Sequence, residues 1–350
     1  MPALICGSLA YDNIMVFRGR FREHILPDQI HILNVSFLVP ELRREYGGCA
    51  GNVAFKQAAT EAADTGIAIM DRFVAELLTT GYLHNHARMW FASYWIHEEG
   101  LPWELGADFF LRNLRDADPA SNTLSWRWVA GIQTLGKAYI VRRSNLEMYC
   151  APDILSDTRG LDRLDDGRIR PREIYDPSDA TPRPLLEWPM VPADLPDPYG
   201  IWIHPNDLGV ENTALAWLRP ASVASNSSMN LAKSFGVGEH RLRFLHAAIE
   251  DAIERCASHY RCHTEFNVTR STVEGLLRWA KSQRLKAIVA MRPFVGPGHD
   301  LADTVEAAVR EAGIRMVWTR RPYDTRLFPL AQKGFFPFWQ QARETIKSWL

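Results

Sequence analysis

Eight side chains spread over about forty residues have the types and spacing of a binding site with redox chemistry in it: Asn85, Arg88, Met89, Trp103, Asp116, Asp118, Asn122 and Trp126. Asn85 and Arg88 stand three apart in the run HNHARMW, which places them on one helix face. An amide and a planar guanidinium there can address a diphosphate or the polar edge of a ring system. Asp116 and Asp118 follow as a spaced pair, and Asn122 precedes a Trp-x-Trp by four residues. Indoles suit one-electron transfer, because the ring can be oxidised by one electron and packed faces bring the next ring close. Taken singly, Trp90, Trp95 and Trp103 read as core, and Asp116 and Asp118 as loop or cap residues. Only the joint spacing points to a site.

The elements that must position these residues are helical. Ile69, Phe73, Leu77 and Leu78 recur at helical spacing, a Thr-Gly break follows, and a second helix is predicted from Leu83. Trp103 is expected to end one helix, and Gly106 to Leu114 to form the next. The chain divides into a β-rich segment at 1–56, a helical region at 57–150, a Pro- and Asp-rich connector at 151–199, and an alternating strand and helix region at 200–350. The last of these predicts a parallel sheet covered on both faces. The charged cluster from Asp162 to Arg172 reads as a solvated face. In the α/β region, ligands would gather at the strand ends, from Arg292 to Asp300 and Thr319 to Thr325. The GPGHD loop there lacks a dinucleotide fingerprint, and His299 and Asp300 read as turn and cap residues.

The 350 residues are 47% hydrophobic and 23% charged, enough for two ordinary domains and connectors. No run of 18 apolar residues and no secretory signal pattern occurs, so no membrane partner is expected and a cytoplasmic location is the default. Five cysteines without a CxxC pair argue against a disulfide framework or zinc ribbon. His240, His246, His259 and His263 lack ligand spacing, and no metal is assigned. A net charge of -1 offers no whole-chain field to attract nucleic acid.

Across its joint spacing, the stretch from Thr80 to Gly131 resembles the flavin-binding core of the DNA photolyase and cryptochrome family, and the resemblance extends over about residues 57–150. The resemblance implies FAD as cofactor and damaged DNA as partner. It places Asn85, Arg88, Asp116, Asp118 and Asn122 on the cofactor, with Asn122 beside flavin N5. Trp126 becomes the electron donor nearest the ring, and Trp103 the second donor. Met89 then lines the lesion pocket, where a Met resembles the cyclobutane-dimer branch. Trp202, Asn206, Asp207, Leu208, Asn212, Ala214 and Leu215 echo the opening of the family's antenna domain, with His204 and Gly209 in place of its arginines. In photolyases that domain comes first; here it follows the flavin region.

Residues 1–56 resemble the start of the PfkB-type, ribokinase-like sugar and nucleoside kinases, through Asp12 and the EYGGCAGN turn. That resemblance implies ribose contacts at Asp12, Gly47, Gly48 and Asn52, but no late Gly-Ala-Gly-Asp phosphate cradle follows. The expected fold is therefore mixed: a partial all-α photolyase FAD-binding region, a C-terminal α/β parallel-sheet, Rossmann-like domain, and a short β-rich N-terminal segment. The expected function is light-driven electron transfer from FAD to a pyrimidine dimer, impaired by loss of the first part of the flavin domain. The alternatives are a degenerate non-catalytic fusion of photolyase descent and a fragmentary kinase.

Overall fold

The computed structural model describes residues 10–16, 41–47, 65–132, 137–165, 167, 191–331 and 335–348. Strands β1 (Ala10–Val16) and β2 (Glu41–Gly47) pair antiparallel, with Asp12 opposite Glu45 and Gly47 opposite Ala10. Gly48 and Asn52 lie outside the described residues.

The helical region is built from α1 (Ala68–Thr80), α2 (Asn85–Ser93), α3 (Trp103–Asn113), α4 (Pro119–Val129) and α5 (Arg143–Tyr149). In α1 the apolar residues Ile69, Met70, Phe73, Val74 and Leu77 turn inward, whereas Leu78 stays 46% exposed. Gly81 ends this helix at φ 69°, a left-handed cap that an L side chain adopts only with strain. A Cβ there would also stand 2.8 Å from the Arg115 side chain. Helix α2 starts at Asn85, two residues after the expected Leu83, because His84 is its cap and accepts from the His86 N–H. It runs on into a π-helical turn, Tyr94–Glu98.

Trp103 opens α3 rather than closing the preceding helix, since Pro102 sits at its N-cap, where a proline costs no intrahelical bond. Asp118 caps α4 through the Ser121 N–H, and Pro119 fixes its first turn. Trp90, Phe91, Trp95, Phe109, Phe110 and Trp126 form the heart of the core. Each such ring contributes about 1.5–3 kcal/mol by leaving water.

The core continues past residue 150, for Leu161 and Leu164 belong to it. Arg163 between them is not a solvated charge: it donates to Glu98 at 3.1 Å, to Glu99 at 2.6 Å and to the Thr65 carbonyl at 3.0 Å.

The C-terminal region is a five-stranded parallel sheet of order β5-β4-β3-β6-β7. Its strands are β3 (Tyr199–Ile203), β4 (Ser222–Ser228), β5 (His263–Thr269), β6 (Ala287–Met291) and β7 (Arg315–Thr319). The helices are α6 (Met229–Ser234), α7 (Glu239–Tyr260), α8 (Thr272–Ser282), α9 (Pro297–Glu311), α10 (Pro322–Leu327) and α11 (Phe335–Lys347). Alternation along β3 sends Ile201 and Ile203 to the face covered by α7, and Trp202 to the face covered by α8 and α9. This matches the covered parallel sheet expected from the sequence. Among the described residues, no helix is long and apolar enough to cross a membrane.

Candidate flavin site

The site begins where α2 meets the turn between α3 and α4. Arg88 donates Nε to the Leu83 carbonyl at 2.7 Å, and Nη2 to both carboxylate oxygens of Asp116 at 3.1 Å. Its guanidinium also lies 5.6 Å from the Tyr82 ring centroid. Three partners thus fix one cation, which spares it much of the entropy cost of ordering when it meets a ligand. Asn85, one turn earlier on α2, turns its amide to the Met89 sulfur at 3.8 Å.

The turn after α3 returns close to α1, since the Arg115 N–H donates to the Gly81 carbonyl at 2.8 Å. Asp116 and Asp118 are both exposed. One Asp118 oxygen is taken up by its capping bond, and the Asp118 carbonyl accepts the Asn122 N–H at 2.9 Å. Asn122 then donates Nδ2 to the Ala107 carbonyl at 2.7 Å. A carbonyl can only accept, so this bond fixes the amide and leaves Oδ1 to accept from another group.

Behind this polar face sits Trp126, 2% exposed. Its ring lies on Gly106, where an added Cβ would stand 2.2 Å from it, and edge-on to Phe110 at 5.1 Å and Trp95 at 6.2 Å. Trp103 is also buried, and Gly106 is one turn along the helix that Trp103 opens. Among the described residues, neither indole N–H has a hydrogen-bond partner. The Arg127 guanidinium lies 5.9 Å from the Trp103 ring centroid.

The structure therefore brings Arg88 and Asp116 into direct contact, and ties Asp118 and Asn122 into one capped turn. Asn85 and Met89 contact each other on α2, and Trp126 and Trp103 lie in the core on α4 and α3. His299 and Asp300, by contrast, contact only each other in this set, at 3.5 Å, on the exposed start of α9, where Gly296 is the N-cap. Two residues next to the site carried no signal in the sequence. Gly106 is read there only as a helix start, and Arg241 enters from the α/β region to donate to the Leu114 carbonyl at 3.1 Å. Burial holds the Arg241 guanidinium below its usual range, against the opposing pull of Asp116 and Asp118.

Comparison with known proteins identifies what this geometry is related to. Residues 35–149 match the family model described as the FAD binding domain of DNA photolyase. The chain is 39% identical over 71 residues to a deoxyribodipyrimidine photo-lyase of Alkalihalophilus pseudofirmus, covering 20% of this chain and 15% of that protein. It is 43% identical over 67 residues to the Agrobacterium fabrum enzyme of the same name, 19% of this chain and 14% of that one. Against Cryptochrome-1 of Arabidopsis thaliana it is 26% identical over 190 residues, 53% of this chain and 22% of the plant protein. The matches thus span less than a quarter of the length of these relatives. No solved structure matches it significantly.

The matched stretch begins at residue 35, inside the 1–56 segment, and so takes in Gly47, Gly48 and Asn52. The kinase resemblance of that segment is accordingly not supported. The donor set fits FAD: a guanidinium fixed by one carboxylate, a second carboxylate at a helix start, and an amide oxygen held ready to accept suit the polar edge of an isoalloxazine. The helical region is similar in sequence to proteins of the photolyase and cryptochrome family, and the match to their FAD-binding domain supports FAD as its cofactor.

Proposed function

We propose that the chain is a light-driven flavoprotein of the photolyase type, which passes an electron from FAD to a pyrimidine dimer in DNA. The observation that carries this reading is the Arg88–Asp116 contact beside the Asp118–Asn122 turn, with the buried Trp126 behind it. FAD, when bound, supplies the light-driven one-electron chemistry. Arg88, Asp116 and Asp118 hold it. Asn85 completes the grip from α2. Asn122, its amide fixed by Ala107, offers Oδ1 to an N–H at flavin N5.

Trp126 would be the electron donor nearest the flavin and Trp103 the second donor when light reduces the bound cofactor, while dimer splitting itself is redox-neutral and would return its electron to the flavin. The close ring packing around Trp126, at 5.1 Å to Phe110 and 6.2 Å to Trp95, excludes water from the donor. Met89, half-buried beside Asn85, lines the place of the lesion. Chemistry on a base requires taking it out of the stack, and a flexible thioether packs against flat apolar rings.

A second reading, a scaffold of photolyase descent without repair activity, draws on the openness of the face. The Asp116 side chain is 56% exposed, and Leu124 on the same helix as Asn122 is 51% exposed. One experiment separates the two. The purified chain is titrated with FAD, illuminated with near-ultraviolet and blue light, and offered an oligonucleotide carrying a cyclobutane dimer. Repair, together with slower flavin photoreduction in Trp126→Phe, is the expected result. Bound flavin with no repair supports the scaffold, and no bound flavin rejects the photolyase reading.

A further inference from the structure

Among the described residues, the Trp126 indole meets two aromatic rings edge-on: Phe110 at 5.1 Å between centroids and Trp95 at 6.2 Å. A phenyl ring gives up no electron at the potentials that oxidise an indole, so Trp95 is the oxidisable one of the two. Trp103 belongs to the same core but makes no ring contact with Trp126 among the described residues. Trp95 is 1% exposed and stands in the π-helical turn Tyr94–Glu98 that extends α2. Such turns are rare in proteins and recur at functional sites.

The three indoles differ in what their N–H groups meet. Trp95 donates Nε1 to the Pro102 carbonyl at 2.8 Å, whereas Trp126 and Trp103 have no acceptor among the described residues. A buried indole N–H needs an acceptor in any case, so the bond by itself is ordinary. Its contrast with Trp126 is what matters for redox chemistry. Removing one electron makes an indole N–H more acidic, which turns the Pro102 bond into a charge-assisted one of about twice the strength. A positive charge on Trp126 has no such bond to strengthen.

The geometry points to Trp95 as an electron donor to Trp126, ahead of Trp103, and as the ring on which the positive charge settles. The inference rests on the flavin reading of this site and adds a residue to it. Once Trp126 has lost one electron to the light-excited, oxidised cofactor, one electron passes from Trp95 to the Trp126 cation radical. Trp126 is then neutral, and Trp95 carries the cation radical. The Trp95 proton stays on Nε1, because the Pro102 carbonyl accepts a hydrogen bond but is too weak a base to take the proton. The electron is returned by recombination or by a thiol in solution. Recombination has to pass back through Trp126, so the hydrogen bond at Trp95 prolongs the separated charge.

The test follows the indole cation radical itself, not repair, by transient absorption of the full chain loaded with FAD, as wild type, Trp95→Phe and Trp103→Phe. The expected result is a radical whose lifetime is about tenfold shorter in Trp95→Phe, the ratio that separates a neutral from a charge-assisted hydrogen bond. Trp103→Phe should stay within about twofold of wild type. An unchanged lifetime in Trp95→Phe overturns the inference. So does a lifetime shortened as much in Trp103→Phe as in Trp95→Phe, or an FAD-loaded wild type that forms no indole radical. Electron-nuclear double resonance of the freeze-trapped wild-type radical decides where Trp95→Phe fails to fold by circular dichroism or to load. An N–H hydrogen-bonded to oxygen there sustains Trp95, and an N–H without a partner places the charge on Trp126 or Trp103 and overturns the inference. A wild-type chain that takes up no FAD fails the flavin reading itself, and the inference falls with it.

Discussion

Single residues set the tolerances of the site. Gly106 is on α3 because Trp126 rests against it, and a Cβ at that position would stand only 2.2 Å from the indole. The indole is 2% exposed and ringed by Phe110 and Trp95, so it has no room to retreat. Gly106→Ala is therefore expected to destabilise the chain by about 1–3 kcal/mol, in spite of the better helix propensity of Ala. It should also change the near-ultraviolet circular dichroism of the tryptophans. Urea melts of the two proteins measure the first effect, and an unchanged midpoint would show that the ring moves freely. At Asn122 the tolerance is chemical rather than steric, since the Ala107 carbonyl dictates which amide atom remains to meet a ligand.

Elements were legible where their ends carry chemistry. The Thr-Gly break ends α1, and Asp118, one of two aspartates that read singly as loop or cap residues, caps α4. The reading failed where apolar content misled it. Trp103, a bulky apolar residue after a proline, looks like the end of a helix and is the start of one. Strand β4, with sequence SVASNSS, has no apolar alternation, yet it is almost wholly buried between β3 and β5. Small serines are what a strand covered on both faces can hold where helices press close, and periodicity cannot reveal that.

Helix α7 offers a test at this scale. Near its end Cys256 is fully buried with its sulfur 3.8 Å from Glu211, and burial, then the Glu211 carboxylate, push the thiol up to about 12. In the unfolded chain a thiol titrates near about 8.5. The raised folded value means that the unfolded state releases its proton first, so this contribution to stability is intact below about pH 8.5 and is lost as pH rises toward 12. The loss runs at up to about 1.4 kcal/mol per pH unit. Cys256→Ala should be less stable than wild type at pH 7, and the gap should narrow steadily between pH 9 and 11. Denaturant melts across that range check it, and parallel curves would show that the thiol does not titrate as described.

At the scale of the whole molecule, the local motif was readable and the assembly was not. Arg88 and Asp116 meet across 28 residues within one family-like stretch, whereas Arg241 and Leu114 meet across 127 with no pattern joining them. The strand order, with β3 central and the chain doubling back from β5 to β6, is likewise a product of the right-handed crossover and not of any one segment. The helical core and the two faces of the sheet form separate apolar clusters. The connection between regions described above consists instead of hydrogen bonds and close backbone contacts at Gly81, Arg112, Leu114, Gly238 and Arg241.

Such a junction transmits order locally but does not merge two cores into one cooperative unit. FAD held at a hundred times its dissociation constant stabilises whatever unfolds together with its site by about 2.7 kcal/mol. Hydrogen exchange should therefore show that gain along α2, α3 and α4, and in the first turn of α7, where Gly238 and Arg241 are tied to α3. The amides of β5, at the far edge of the sheet, should exchange at the same rate with and without FAD. Equal protection of β5 and α3 would mean that the two regions unfold as one, and that the junction carries far more coupling than its few hydrogen bonds suggest.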